Sequence, residues 1–483
     1  MNISVKDLRE KDCACDALIL PVIEAGAKQY DHLGRSFEQA IKKAFSKKFS
    51  GKKNELFLVP APDGLKAEWI LLAGLGKKEE VTAEGLRQAG GRSAAYLRDN
   101  GMSKAALSSK VISSFKLSPS LFAEGALLSL YSYSRYKKET NGKTLGSLVV
   151  LSKPSKALTQ ELDWADTMAS AVSFAKDLIN TPSNDMTPSH LAKAALSLRS
   201  RKLSVSVLER RDAQRLGMGA YLAVAKGSHE PPKFVVLQYK GGSKAPLVLV
   251  GKSITFDSGG ISLKPAEGME KMKYDMAGGA AVLGVMKAVS EAALPINLIG
   301  VLPATENLPG GSATKPGDIV KAVGGKTVEI VNTDAEGRLV VADAIGYAKR
   351  FKPRAVVDIA TLTGACSIAL GGEVIAMMGN DKGLLDTLKR CGDNVYERVW
   401  EMPLFEEYKE YVKSDIADIK NTGGRTGSLV TSAYFLKEFA GDVPWVHLDI
   451  AGTAWVERER PYIPKGASGV GVRLLSQFVR ELA

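Results

Sequence analysis

Short apolar runs separated by segments of helical spacing recur along the whole chain, and this alternation predicts an α/β protein. Apolar stretches at 17–22, 56–60, 69–75 and 148–151 predict buried strands, with helical patterns at 37–45, 83–97 and 121–130 between them. The polar break Ser152-Lys153-Pro154-Ser155-Lys156 closes this small N-terminal α/β domain, 1–155. One long helix is predicted over 158–179. It stops at Asn180-Thr181-Pro182, because the residue before a proline is kept out of the α region, and Thr187-Pro188 opens another helix. The range 156–185 therefore reads as a linker helix and the entry to a larger domain, 186–483. Strands are predicted there at 203–208, 234–239, 247–250, 296–302, 355–359 and 446–450, with helices at 277–292, 339–350 and 384–391. The expected C-terminal domain is α/β, a mainly parallel central sheet flanked by helices.

Composition changes this picture little. A chain of 483 residues exceeds one ordinary core, which agrees with two domains. No apolar run is long enough to cross a bilayer, and residues 1–12 alternate charge without a signal-type apolar core. Cys13, Cys15, Cys366 and Cys391 form neither a CxxC pair nor a disulfide framework, which suits a reducing, cytoplasmic setting. Only His32, His190, His229 and His447 are present. His447, in a strand pattern, reads as a core residue, and His190 fits the first turn of a helix. Any metal site must then be built mainly from carboxylates. Net charge is +12, and residues 1–150 hold 24 Lys and Arg against 16 Asp and Glu. These bases are interspersed with acids, so they read as a solvated surface; nucleic acid binding by the N-terminal domain stays a secondary reading without a motif behind it.

Candidate chemistry gathers in two places. Asn332-Thr333-Asp334-Ala335-Glu336-Gly337-Arg338-Leu339 follows an apolar run and precedes a buried helical run. If extended, it points Asp334, Glu336 and Arg338 to one side at a strand's carboxyl end, where open α/β sheets bind ligands. After the strand predicted at 247–250 come Lys252, Asp257, Lys264 and Asp275 within one connection. Taken singly, a lysine there is a solvated base and Asp275 a helix N-cap. Together, four carboxylates suit hard divalent cations, and shared ligands let them hold a pair. Such a pair activates water and polarises a carbonyl, so the residues point to hydrolysis without naming the bond.

The octapeptide 332–339 resembles the signature of the leucyl aminopeptidase family, the M17 cytosol aminopeptidases, at every position. Residues 251–260, the Lys264 segment, Asp275, 180–188 and Thr361-Leu362-Thr363-Gly364-Ala365 resemble other blocks of that family in the same order. The similarity is strong from about residue 158 onward and weak before it. It implies a dinuclear aminopeptidase that releases N-terminal leucine or other apolar residues from peptides by attack of a metal-bridging hydroxide. Asp257 and Glu336 would bridge two divalent ions, Mn²⁺ or Zn²⁺ with Mg²⁺ also accommodated. Asp334 would complete one site through its carboxylate and backbone carbonyl, and Lys252 and Asp275 the other. Lys252 would ligate as a neutral amine, which adjacent cations favour. Lys264 would stabilise the oxyanion, and Arg338 would hold a bicarbonate ion as general base.

The same resemblance maps substrate binding onto Met272, Asn332, Thr361, Leu362, Gly364, Ala451 and Ala454, with Leu362 acting through its backbone carbonyl. It also implies a homohexamer, a dimer of trimers with enclosed sites that admit short or unfolded peptides. The alternatives are a different hydrolase using the same two-metal logic and a basic scaffold for nucleic acid.

Overall fold

The computed structural model describes residues 1–24, 26, 29–47, 49–139 and 142–483. They divide into two compact units, Met1–Ser170 with Arg458–Lys465 and Ala171–Glu457 with Gly466–Ala483. The helix Lys156–Asn180 runs through the boundary. Arg458–Lys465 groups with the first unit although it falls within the range 186–483. Tyr462 ties it there, its hydroxyl donating to the Glu84 carboxylate at 3.1 and 3.0 Å.

The first unit holds strands β1 (Asn2–Lys6), β2 (Cys15–Ile23), β3 (Leu56–Pro60), β4 (Ala67–Gly76), β5 (Lys104–Ser108) and β6 (Ser147–Leu151). They lie in the order β1-β6-β5-β2-β4-β3, with β3 antiparallel to β4 and the other pairs parallel. Apolar continuity predicts β2, β3, β4 and β6. It misses β5, Lys-Ala-Ala-Leu-Ser, which has no β-branched or aromatic residue and is held by pairing on both sides.

In the second unit the strands are β7 (Leu203–Leu208), β8 (Lys233–Lys240), β9 (Leu247–Gly251), β10 (Ser253–Asp257), β11 (Asn297–Asn307), β12 (Ile319–Lys321), β13 (Thr327–Glu329), β14 (Ala355–Ala360), β15 (Ile375–Gly379), β16 (Val399–Glu401), β17 (Ile419–Lys420), β18 (Trp445–Asp449) and the short pair β19 (Trp455–Val456) and β20 (Gly466–Ala467). The large sheet runs β16-β15-β18-β14-β9-β11-β8-β7, with β10 added on β11. Its central pairs are parallel, while β8 is antiparallel to β7 and β11, and β15 to β18. A smaller sheet, β12-β13-β17, stands apart from it. The two helices that matter for function, Ala277–Glu291 and Gly337–Ala348, both pack on β9. Val248 and Val250 share a core with Leu339, Val340 and Ile345, so the octapeptide's helix is anchored on the central sheet.

Asp343 fixes that helix to its surroundings. Its fully buried carboxylate accepts N–H bonds from Tyr221 at 2.8 Å and Val323 at 2.7 Å. Burial pushes its pKa up to about 7 against the pull of those N–H groups. The folded state therefore binds a proton that the unfolded chain, with a pKa of about 3.9, has released, and this residue's contribution to stability falls as pH rises between the two values. Asp343→Asn cannot titrate. As pH drops from about 8 to about 5, wild type should gain on the order of 2 kcal/mol relative to the variant in urea unfolding. Parallel stability profiles would contradict this.

Candidate active site

The octapeptide is a turn running into a helix. Asn332 Oδ1 accepts the Asp334 N–H at 2.8 Å, Asn332 O accepts the Ala335 N–H at 3.2 Å, and Gly337 begins the helix. Glu336 already has helical backbone angles, φ −75° and ψ −36°. The alternation of an extended chain is thus not what gathers these charges, because the Asn332 side chain competes for the backbone and closes a turn. The strand before it, β13, also belongs to the smaller sheet.

One strand end and two connections of the large sheet bring the partners. Lys252 sits between β9 and β10, Asp257 ends β10, and Asp275 lies on the 3₁₀ stretch Met269–Met276 before the helix Ala277–Glu291. Lys252 Nζ lies 2.8 and 2.7 Å from the two oxygens of Asp275, 2.9 Å from Glu336 Oε1 and 2.9 Å from the Thr361 carbonyl oxygen. The Asp275 Oδ2 contact is an ion pair without hydrogen-bond alignment. Lys264 Nζ pairs with Asp257 Oδ2 at 2.8 Å and with Asp334 Oδ1. The two lysines differ in access. The Lys252 side chain is 3% exposed and that of Lys264 is 21%, so Lys252 is sealed in while Lys264 keeps an open side. Gly337 makes the sealing possible, since a Cβ there would sit 2.6 Å from both Cε and Nζ of Lys252.

Burial is the largest influence on the carboxyls of Asp275, Glu336 and Asp334 and raises the pKa of each. Mutual repulsion adds to it: Asp257 raises all three, and Glu336 raises Asp275. For the lysines burial acts downward, yet the surrounding carboxylates outweigh it and leave both ammonium groups more firmly protonated than usual. The shifts agree on one point: four carboxylates held by two ammonium groups are short of positive charge.

Oxygens of Asp257, Asp334 and Glu336 lie within 4.8 Å of one another, a spacing suited to a shared cation. Glu336 Oε2 is buried and, among the described residues, has no hydrogen-bond partner. A buried carboxylate oxygen left unpaired is costly unless a cation meets it. The donor set, oxygen-rich with one amine, fits hard or borderline divalent ions.

Comparison with known proteins agrees with this geometry. Residues 173–476 match the model of the cytosol aminopeptidase family, catalytic domain, and residues 21–140 match that of its N-terminal domain. The chain belongs to the cytosol aminopeptidase family. It is an aminopeptidase, a metal-dependent hydrolase. A probable cytosol aminopeptidase of Geobacter sulfurreducens (strain ATCC 51573 / DSM 12127 / PCA) is 48% identical over 99% of both chains, and one of Cenarchaeum symbiosum (strain A) 42% identical over 96% of both. Among solved structures, a mutant of tomato leucine aminopeptidase superposes with a TM-score of 0.89 at 32% identity, covering 100% of this chain and 96% of that one. The bottromycin maturation enzyme BotP in complex with Mn superposes with a TM-score of 0.85 at 31% identity, covering 97% and 100%.

Within this family architecture, Arg338 lies buried in the first turn of the helix Gly337–Ala348. Its Nη1 donates to the Asn421 carbonyl at 2.8 Å, whereas the buried Nε has no partner among the described residues. Burial lowers its pKa to about 10, so it stays cationic at neutral pH. Thr361 and Leu362 follow β14, and Gly364 opens the helix Gly364–Leu370. Asp449, at the end of β18, binds this turn to the next one: it accepts from Leu362 N and Ala451 N, each at 3.1 Å, and from Thr363 Oγ1 at 2.7 Å. Met272 shares the 3₁₀ stretch with Asp275; Leu362 and Ala451 are half-buried against the core, and Ala454 is 1% exposed.

Two asparagines that the sequence reading passes over organise the centre. Asn421 donates to the carbonyls of Asn332 at 2.7 Å and Ala335 at 3.3 Å and accepts from the Val331 N–H at 2.9 Å. Asn307 joins Asp257 to Thr333 O at 2.8 and 3.0 Å. Only the polar end of the β11 run, Thr305-Glu306-Asn307, hints at the second. His447 is buried, with Nδ1 2.6 Å from Asp358 Oδ1. His190 Nδ1 lies 3.0 Å from Oγ1 of Thr187, the residue that caps its helix.

Proposed function

We propose that the protein is a dinuclear aminopeptidase that removes leucine and other apolar residues from the N-termini of peptides. The observation behind this reading is the Asp257, Asp334 and Glu336 oxygen cluster, with the unpartnered Glu336 Oε2 inside it. Lys252, Asp257, Asp275, Asp334 and Glu336 would hold two divalent cations, Mn²⁺ or Zn²⁺ with Mg²⁺ a further candidate, Asp257 and Glu336 serving both. When bound, these ions supply Lewis acidity and a water acidified to nucleophilic strength. Lys252 must release its proton to ligate, a change that divalent charge beside it favours.

The other roles follow from charge and access. Lys264, cationic and open on one side, donates to the oxyanion that develops on the scissile carbonyl. Arg338, with Nε uncommitted, would hold a bicarbonate ion, which would supply a proton acceptor. Met272, Asn332, Thr361, Leu362, Gly364, Ala451 and Ala454 form the substrate site, small or apolar around the first side chain. The peptide's free α-amine is recognised in the carboxylate cluster, which restricts cleavage to the first bond. A cytoplasmic homohexamer, two trimers enclosing the sites, completes the proposal.

Amine recognition separates this reading from that of another two-metal hydrolase. A leucyl peptide with a free amine should be cleaved about 10- to 100-fold faster than its Nα-acetyl form, the span expected for losing a hydrogen bond to a charged group. Equal rates would exclude the exopeptidase reading.

A further inference from the structure

We infer that Asn307 is a positioning residue that holds Asp257 in the orientation needed to bind cations; this rests on the metal-centre reading above. Asn307 ends β11 and is 4% exposed. It stands opposite Asp257 in the β10/β11 register, so the two side chains are set beside each other by strand pairing. Its amide nitrogen donates to Asp257 Oδ1 at 2.8 Å and to the Thr333 carbonyl at 3.0 Å. The Gly259 N–H donates to the same Oδ1 at 2.9 Å. Two fixed donors on one oxygen stop the carboxylate from turning about its last torsion. Oδ2 is then left on the side of Lys264 Nζ, 2.8 Å away.

The backbone of Asn307 adds a second restraint. Its carbonyl accepts both the Ser258 N–H at 3.0 Å and the Ser258 hydroxyl at 2.9 Å, which ties down the residue after Asp257. Through Thr333 the same amide reaches the turn that carries Asp334. One side chain therefore links two of the three segments that supply carboxylates. An amide suits this place because it donates twice without charge. Aspartate would add a fifth negative group to a cluster already short of positive charge, and leucine would fill the volume without donating.

Partners that orient a metal ligand without touching the metal commonly account for about 10- to 100-fold in affinity. The test uses the full chain, stripped of metal and titrated with Mn²⁺ by calorimetry, with the metal-free Tm and the dependence of leucyl-peptide hydrolysis on Mn²⁺ read alongside. Asn307→Leu should bind Mn²⁺ about 10- to 100-fold more weakly than wild type, with a metal-free Tm lowered by the loss of two buried hydrogen bonds but a cooperative unfolding transition kept, and activity recovering as Mn²⁺ is raised. Wild-type Mn²⁺ affinity in the variant, or activity lost at saturating Mn²⁺ with affinity unchanged, would overturn the inference. Should the leucine variant not fold, Asn307→Ala carries the same test, since it removes the donors without adding bulk. A wild-type chain that binds no Mn²⁺ at all overturns the metal-centre reading itself, an outcome distinct from loss of the Asn307 effect alone.

Discussion

Glu336→Gln should lower kcat/KM for a leucyl peptide by on the order of a thousandfold or more, about 4 kcal/mol of lost transition-state stabilisation. The substitution keeps size and shape but removes the charge that the proposal shares between both cations. Its effect on the metal-free fold should be opposite in sign. Glu336 is buried, its carboxyl is raised by desolvation and by Asp257, and one of its oxygens has no described partner. Neutralising it removes repulsion from a cluster with too little positive charge, while Lys252 keeps Asp275 at 2.8 Å. The metal-free Tm of the variant should therefore equal or exceed that of wild type, the usual exchange between stability and function at an active site. A variant that loses activity and Tm together would instead mark Glu336 as a structural residue.

Lys264→Met should lower kcat by about 100- to 1,000-fold with a smaller change in KM, the range seen when one group stabilising a transition-state charge is removed. Methionine keeps much of the aliphatic stem and loses the charge. The two lysines are separated here by exposure: Lys252 is surrounded by Asp275, Glu336 and the Thr361 carbonyl, whereas the open side of Lys264 leaves it able to meet a substrate. Steady-state kinetics at saturating metal provide the check. A rise in KM with kcat unchanged would mean that Lys264 binds substrate and transition state alike.

Much of this protein was legible from the order of its residues, for physical reasons that differ from place to place. The apolar runs of β2, β4, β9 and β14 are read directly because strands buried on both faces leave no polar alternation. The strand β10 hides, since Ser253, Thr255 and Asp257 give it the look of a connection; it exists because β11 is long enough to pair with it. The residues of the octapeptide stand out by their charge, yet their conformation does not follow from alternation. Asn332 closes a turn, and the carboxylates meet Lys252 and Lys264 through the packing of three separate segments.

Asn307 and Asn421 were illegible for another reason. An asparagine at a strand end looks like any turn residue. What distinguishes these two is the atom at the far end of each hydrogen bond, the Asp257 carboxylate for one and the backbone of 331–335 for the other. Residues 458–465 present the same limit: no local pattern marks them as part of the first unit, and contacts distant in sequence, such as Tyr462 meeting Glu84, do so.

Metal-dependent removal of an N-terminal residue can be examined on the full chain without any substitution. The protein is stripped with a chelator, the chelator is removed, and hydrolysis of a leucyl peptide is followed after separate addition of Mn²⁺, Zn²⁺ and Mg²⁺. The carboxylate cluster leads us to expect activity to vanish on stripping and to return with at least one of the three ions. Full activity in the stripped protein, or none with any of the ions while the chain remains folded, would contradict it.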